Sequence, residues 1–190
     1  MTRSKKALVI LGSPRKKGNS ATLAGRVTAG LRAAGAEVES VCLYDMNFLP
    51  CTACNGCRGS IEKDCVLDDD MRGVFGKLRR ADIWVIASPI YWFNVSGKMK
   101  LFMDRWYALG APEGYGLEGK RMGVVLTYAD ADVFISGGVN ALRTLQDSFN
   151  YMDAEFVGAV YGTANKPGEI REQRDLMQQA YQLGRKLVTG

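Results

Sequence analysis

The stretch that decides the fold is residues 7–36, which read ALVILGSPRKKGNSATLAGRVTAGLRAAGA. Its first five residues are all apolar, as expected of a strand buried on both faces of a parallel sheet. A helix is predicted to begin at Ser20, a good N-cap residue, and to run to about Ala34, with Gly35 as its stop. The stretch therefore predicts a strand, a polar loop and a helix in direct succession.

The same alternation of strand and helix continues along the chain. Amphipathic helices are predicted after Asp68–Asp70, from Ser96 or Gly97, around residues 139–152 and within residues 170–187. The remaining predicted strands are Glu37–Leu43, Ile83–Ala87, Met122–Leu126 and Phe156–Tyr161. Five strands with helices between them predict a doubly wound α/β fold, with a five-stranded parallel sheet in a three-layer sandwich. We expect one domain over residues 1–190.

Composition excludes several classes of function. The 190 residues contain no histidine, so imidazole-based acid–base catalysis and histidine-ligated metals are ruled out. No apolar run approaches the ~20 residues of a membrane helix, and we expect a cytoplasmic protein without a membrane partner. The net charge of +5 is spread along the chain, which favours anionic small ligands over nucleic acid.

The loop between the first strand and the first helix, residues 12–20, is a candidate phosphate site. It lacks both the GxxxxGK[ST] and the GxGxxG pattern. It does offer the hydroxyls of Ser13 and Ser20, the amide of Asn19, the guanidinium of Arg15 and the N–H groups of a helix N-terminus. The alternative is a polar turn with a good N-cap, which needs only Gly18 and Ser20.

A second candidate segment follows the third strand, where residues 88–97 read SPIYWFNVSG. The three consecutive aromatic residues at positions 91–93 cannot all point inward, so at least one is expected to be exposed. An exposed aromatic ring beside a cleft can stack on a flat ligand or pack against a second copy of the chain. Both uses are compatible with one loop.

Four of the five cysteines lie in a short polar segment, which we interpret as an irregular loop over residues 44–68. Cys51, Cys54 and Cys57 form a CxxCxxC run, and Cys65 follows eight residues later. Three thiolates at this spacing, with a fourth further on, suit a 4Fe-4S cluster. Idle or reactive thiols, zinc and a disulfide are the alternatives. Cys42, within the second predicted strand, is interpreted as a small apolar residue.

Taken together, these segments resemble the flavodoxin-like NADPH-dependent FMN reductase superfamily, and within it the iron–sulfur flavoprotein branch. The resemblance rests on GSPRKKGNS at 12–20, the cysteine motif followed by DDDM at 68–71, and SPIYWFNVSGKMKLFMDR at 88–105. It implies FMN as the cofactor. The residues it implies for the FMN phosphate are Ser13, Arg15, Gly18, Asn19 and Ser20, and those for its ring are Pro89, Ile90, Tyr91, Trp92, Phe93, Asn94 and, by position alone, Thr127.

The resemblance also implies a 4Fe-4S cluster on Cys51, Cys54, Cys57 and Cys65, and a homodimer or homotetramer. The expected function is that of an FMN-dependent oxidoreductase. It would transfer electrons from NAD(P)H or ferredoxin to a small acceptor such as a quinone or a flavin. The alternatives are an electron carrier that couples FMN to the cluster for a protein partner, and an FMN-binding module with inert thiols. Large apolar residues predict association of copies through the aromatic loop and the next helix, namely Trp92, Phe93, Phe102, Trp106 and Tyr107.

Overall fold

The computed structural model describes residues 3–59, 63–112 and 114–190, which fold around one twisted sheet. Five strands run parallel, in the spatial order β2-β1-β3-β5-β6, and a sixth, two-residue strand pairs antiparallel with the end of β3. Without this short strand, the order is the 2-1-3-4-5 of flavodoxin-like doubly wound sheets, as predicted. The strands are β1 Lys6–Leu11, β2 Glu37–Cys42, β3 Ile83–Tyr91, β4 Asn94–Val95, β5 Arg121–Tyr128 and β6 Glu155–Thr163.

Helices cover both faces of the sheet, which confirms the three-layer sandwich. One apolar core lies between the sheet and α1 and α5, and a second lies between the sheet and α2, α3 and α4. The helices are α1 Asn19–Ala33, α2 Arg72–Arg80, α3 Gly97–Asp104, α4 Gly138–Tyr151 and α5 Arg174–Thr189. Short 3-10 helices cover Leu43–Asp45, Arg105–Leu109 and Glu169–Glu172. No helix in the described ranges is both long and apolar enough to cross a bilayer.

Alternation along the central strands supplies both cores. In β1, Leu8 and Ile10 face the core under α2–α4, whereas Ala7 and Val9 face the core under α1 and α5. Every residue of β5 is buried, because this strand lies between β3 and β6 with helices on both sides. The all-apolar runs that predicted buried parallel strands are explained by this double coverage.

Two elements differ from the prediction in ways that matter for the site. The third strand does not end at Ala87 but continues through Tyr91, so residues 88–91 belong to the sheet rather than to a loop. The first helix begins at Asn19 with Gly18 as its N-cap, and no side chain caps it; Ser20 lies inside the helix and is 2% exposed.

The expectation that Phe102 and Trp106 help to form an interface is wrong. They are 0% and 4% exposed and pack edge to face with ring centroids 5.8 Å apart, inside the core under α2–α4. Their spacing on α3 and the following turn directs them inward, which is the ordinary use of a helical apolar stripe. Of the five residues proposed for the interface, Trp92, Phe93 and Tyr107 remain exposed.

Candidate functional site

A cavity of about 260 Å³ opens at the carboxyl ends of β1, β3 and β5. Ligands of open α/β sheets bind at this edge, where the strand order reverses. Nine of the predicted cofactor-binding residues line it, namely Ser13, Arg15, Gly18, Asn19, Ser20, Pro89, Ile90, Tyr91 and Thr127. The structure thus brings together the phosphate loop, the end of β3 and the end of β5.

A larger cavity of about 410 Å³ lies at the opposite end of β1 and β2, but its lining argues against a flavin site. Charged side chains line much of it, including Lys6, Glu37 and Arg80, and an ion pair joins Lys77 to Glu39. It contains no aromatic residue and no helix N-terminus. We therefore place the candidate site by its chemistry and not by its volume.

The phosphate loop is a tight turn that leads into α1. The Ser13 hydroxyl accepts a hydrogen bond from the Arg15 N–H at 3.1 Å, and the Gly18 N–H donates to the Arg15 carbonyl at 2.9 Å. A Cβ on Gly18 would lie 2.9 Å from the Arg15 Cβ, so only glycine fits without a shift. The first bond to the helix runs from Thr22 N–H to Gly18 O, which leaves the preceding N–H groups directed out of the helix.

The side chain of Asn19 is used differently from the prediction. Its amide nitrogen donates to the carbonyls of Ala164 and Lys166 at 3.1 and 3.0 Å. Its amide oxygen accepts from the N–H groups of Gly168 and Ile170 at 2.8 and 3.4 Å. All four of these hydrogen bonds join the Asn19 side chain to the loop after β6, so its amide already has its partners. We therefore expect the neighbouring groups, and not this side chain, to bind a phosphate.

The aromatic residues form the tip of a hairpin. Strands β3 and β4 pair at Ile90 with Val95 and at Tyr91 with Asn94, which leaves a two-residue turn of Trp92 and Phe93. Both turn residues have positive φ, +48° and +64°, as tight hairpin turns require. Bulky side chains in this conformation cost roughly 1–2 kcal/mol each, and such strain concentrates at functional sites.

The hairpin tip lies outside the lining of the cavity. Trp92 is 92% exposed and Phe93 is 54% exposed, and neither they nor Asn94 line it. Phe93 instead packs on Gly137, where a Cβ would lie 2.4 Å from the Phe93 Cβ. The Asn94 side chain accepts from the Val95 N–H at 2.8 Å. Of the seven residues that the resemblance implies for the ring, four line the cavity, namely Pro89, Ile90, Tyr91 and Thr127.

Four lining residues were missed by the sequence reasoning: Tyr128, Ala129, Ala164 and Asn165. They come directly after or at the end of β5 and β6, which lie side by side in the sheet. The sheet order, once known, would have indicated them, because all parallel strands end at the same edge. Burial raises the pKa of the Tyr128 phenol, with Tyr161 and Asp132 contributing, so Tyr128 is a hydrogen-bond donor at neutral pH.

Ser96 ties the two predicted loops to each other. Its hydroxyl donates to the Gly12 carbonyl at 2.5 Å and accepts from the Met99 N–H at 3.3 Å, capping α3. Its own N–H donates to the Ser88 hydroxyl at 3.0 Å. The phosphate loop is therefore held by Ser96 on one side and by Asn19 on the other.

A family model described as NADPH-dependent FMN reductase matches residues 5–168 of the chain. The chain belongs to this family. Its members are FMN-dependent NAD(P)H oxidoreductases, and the candidate site lies where the doubly wound fold places its ligand.

Similar proteins support the family and the branch. The chain is 32% identical to an iron-sulfur flavoprotein of Archaeoglobus fulgidus over 96% of its own length and 79% of that protein. It is 27% identical to a putative NAD(P)H-dependent FMN-containing oxidoreductase of Bacillus subtilis, over 94% and 96% of the two chains. The solved NAD(P)H:quinone oxidoreductase of Methanothermobacter marburgensis has the same fold, with a TM-score of 0.77 at 21% identity over 99% of both chains.

In its described residues 46–59 and 63–68 the cysteine segment contains no helix or strand, as expected, and a buried ion pair holds it on both sides of the cysteines. Arg105 donates to both carboxylate oxygens of Asp69, at 2.6 and 3.2 Å, and also to the Leu49 carbonyl at 2.8 Å. The Asp69 carboxylate also accepts from the N–H groups of Leu49 and Met71. Burial opposes ionisation of Asp69, but the bonds from Arg105, Leu49 and Met71 outweigh it and lower its pKa.

The four thiols lie in different environments. Cys51 and Cys54 are exposed, Cys65 is half-buried, and Cys57 is 6% exposed against the core. Bonds from the Gly56 N–H and the Thr52 hydroxyl lower the pKa of Cys54, whereas burial raises that of Cys57. Cys42 is half-buried.

Four thiols are the donor set that a 4Fe-4S cluster needs, one for each of its irons. Within residues 3–59, 63–112 and 114–190, no three cysteine or carboxylate side chains are grouped to bind one metal ion. Ala53 and Asn55, between the first three cysteines, have positive φ values of 53° and 56°. The charges of Cys65, Cys51 and Cys54 contribute, after burial, to the raised pKa of Cys57, so these three thiols lie near it.

Proposed function

We propose that the cavity at the carboxyl ends of β1, β3 and β5 holds FMN, with the phosphate at the start of α1. One observation carries this proposal: the cavity joins a helix N-terminus and a loop arginine to the end of β3, where Tyr91 forms part of the lining. A helix N-terminus and an arginine favour a doubly charged phosphate. The rest of the lining is mainly apolar or uncharged, as a flavin requires.

Different residues would bind the phosphate and the ring of FMN. Arg15, the hydroxyls of Ser13 and Ser20 and the first N–H groups of α1 would bind the phosphate. Pro89, Ile90 and Tyr91 would lie along the ring. The phenol of Tyr128 is protonated at neutral pH and would donate a hydrogen bond rather than act as a base.

We propose that the electrons pass from NAD(P)H to a small acceptor such as a quinone or a flavin. FMN, when bound, accepts a hydride and gives up its electrons again. With a quinone the balance is NAD(P)H plus a proton plus quinone, giving NAD(P)⁺ and hydroquinone. The chain contains no histidine, so we expect the proton to come from water at the open cavity.

Turnover under anaerobic conditions tests this reaction. FMN-loaded protein is expected to oxidise NADPH or NADH in the presence of a soluble benzoquinone, in a one-to-one ratio with hydroquinone formed. Protein without FMN serves as the blank. No oxidation of either nucleotide by the loaded protein, with any quinone or free flavin supplied, would contradict the proposed reaction.

We also propose, as a second and separate function, that the cysteine segment binds a 4Fe-4S cluster and that ferredoxin exchanges electrons with it. The support is the spacing of Cys51, Cys54, Cys57 and Cys65 and the name of the Archaeoglobus relative. The nearness of the other three thiols, whose charges contribute, after burial, to the raised pKa of Cys57, also supports it.

Anaerobic reconstitution with iron and sulfide tests the cluster. Wild-type protein is expected to hold about four irons per chain and to show a broad absorption that dithionite bleaches. The Cys54→Ser variant is expected to hold fewer, and Cys42→Ser, which changes a thiol outside the motif, is the matched control. Equal iron in wild type and Cys54→Ser would remove the cluster and leave the flavin reaction standing.

Two copies of the chain are proposed to meet at the hairpin tip. Trp92 and Phe93 lie beside a loop in which Phe134 and Ile135 are 74% and 60% exposed, so four large apolar side chains face solvent. A patch of this kind next to a cavity commonly marks an interface. The Trp92→Ser variant is expected to lower the mass found by light scattering, and an unchanged mass would contradict this interface.

A further inference from the structure

Arg105 is among the largest fully buried side chains of the protein, although its guanidinium is charged. It begins the turn after α3, and the guanidinium carbon lies 6.0 Å from the centroid of the Phe75 ring. Burial of a charge is costly unless an opposite charge and hydrogen bonds compensate it. The partners of each guanidinium nitrogen therefore indicate the role of this side chain.

Both terminal nitrogens of the guanidinium have partners. Nη1 donates to the Leu49 carbonyl and to one carboxylate oxygen of Asp69, and Nη2 donates to the other. Nε is also buried, but it has no aligned acceptor among the residues that the structure describes. A buried N–H without an acceptor costs free energy, so a further partner for Nε is expected.

The Cys65 sulfur lies within reach of this guanidinium. Cys65 is half-buried and packs against the core that contains Phe75. Burial lowers the pKa of Arg105, but hydrogen bonds to Asp69 and Cys65, together with the charges of both, outweigh it and raise that pKa. A buried donor beside a thiol of the motif fits an iron–sulfur cluster, because hydrogen bonds to the sulfur atoms adjust its potential.

We propose that Arg105 is the positioning residue for Cys65, with its Nε–H donating to the Cys65 sulfur when this thiolate binds iron, and that its charge raises the reduction potential of the cluster. The inference rests on the cluster proposed above. A cluster bound by four thiolates is negatively charged, and reduction adds one more electron to it. A buried positive charge and a hydrogen bond to a ligand sulfur both favour the reduced form.

Asp69 has the opposite charge and bonds to the same guanidinium. Both residues hold the cysteine segment in place, so a purely structural role for Arg105 predicts similar changes when either residue is replaced. The proposed role predicts shifts of opposite sign. Loss of Arg105 removes the positive charge beside Cys65, whereas loss of Asp69 leaves that charge uncompensated.

Anaerobic redox titration of the reconstituted protein, followed by the absorption that dithionite bleaches, measures these shifts. At the midpoint of the wild type, Arg105→Gln should contain about tenfold less reduced cluster, a downward shift of about 59 mV for one electron. Asp69→Asn should shift the potential upward. Arg79→Gln is the matched control, because Arg79 pairs with Asp64 in the same segment but is partly exposed; its ratio should change by less than about twofold.

A second variant, Arg105→Lys, decides the test if Arg105→Gln does not fold or binds no iron. It keeps the charge but lacks the Nε–H, so its potential should fall by less than that of Arg105→Gln. An unchanged potential in the Arg105 variants, or shifts of the same sign in Arg105→Gln and Asp69→Asn, would overturn the inference while the cluster stands. Wild-type protein that takes up no iron would overturn the cluster and this inference with it.

Discussion

Single side chains hold the loops around this site together. Asn19 bonds to four backbone groups of the loop at residues 164–170, and Arg105 fastens both ends of the cysteine segment. Neither role can be recognised from local sequence, because the partners of Asn19 lie 145 or more residues away. The local pattern GNS does predict a polar loop before a helix, and that much is correct.

Replacing Asn19 should therefore loosen the loop after β6. We expect Asn19→Ala to lower the free energy of unfolding by about 2–3 kcal/mol, because partly buried hydrogen bonds contribute about 1 kcal/mol each. The amides of Gly168 and Ile170 should exchange faster, and binding of FMN and riboflavin should weaken together, since Ala164 and Asn165 line the cavity. Asn140→Ala, at an exposed position of α4, is the control. Weaker FMN binding with unchanged riboflavin binding and exchange would instead make Asn19 a phosphate ligand.

The Asp69–Arg105 pair predicts a pH dependence of stability. The pKa of Asp69 is lowered from 3.8, so its contribution is fully present above that pH and is lost as the pH falls through the lower folded value. Asp69→Asn should destabilise the protein by about 3–5 kcal/mol at neutral pH, because it leaves the buried charge of Arg105 without its opposite charge. This variant should also lack the fall in stability that protonation of Asp69 causes in the wild type below pH 3.8.

Asp68 provides the matched control for this measurement. Its side chain is 86% exposed and forms a surface ion pair with Arg72, so Asp68→Asn should change stability by less than about 0.5 kcal/mol. Urea unfolding of both variants across acid pH compares them directly. Equal losses for the two would contradict the role assigned to the buried pair.

Among the elements, α1 and α5 owe their close approach to two glycines. A Cβ on Gly30 would lie 2.0 Å from the Tyr181 carbonyl, and one on Gly184 would lie 2.1 Å from the Val27 carbonyl. Since α1 also starts at the phosphate loop and α5 follows the loop held by Asn19, this contact positions both sides of the cavity. The sequence predicted both helices but could not indicate that their backbones touch.

Two glycines of α1 give opposite predictions. Gly30→Ala should lower the free energy of unfolding by about 1–3 kcal/mol or more, because the added methyl group overlaps the backbone of α5. Gly25→Ala, in the same helix with nothing within 4 Å of its Cβ position, should raise it by about 0.5–1 kcal/mol. Thermal unfolding monitored by circular dichroism measures both. Changes of the same sign would contradict the close helix contact.

At the scale of the whole molecule, the sequence predicts the order of elements, the parallel sheet and most of the phosphate loop. The all-apolar runs predict strands that are buried on both faces, and this pattern can be recognised from local sequence alone. What it misses depends on the assembled sheet: the lining residues after β6, the hairpin that carries Trp92 and Phe93 out of the cavity, and the burial of Phe102 and Trp106. The lining residues and the burial depend on elements that are distant in sequence. The hairpin is local, and it was missed because Trp-Phe is not one of the residue pairs that usually form a two-residue turn.

The central claim is that the start of α1 binds the phosphate of FMN. Calorimetric titration with FMN and with riboflavin, which lacks the phosphate, tests it in wild type, Arg15→Ala and the exposed control Arg32→Ala. We predict tighter binding of FMN than of riboflavin by wild type and by the control. Arg15→Ala should lose about 1.5–3 kcal/mol of FMN binding, as expected for a charged hydrogen bond, and bind riboflavin as wild type does. Equal affinity of wild type for the two ligands, or an equal loss for both in Arg15→Ala, would contradict the claim.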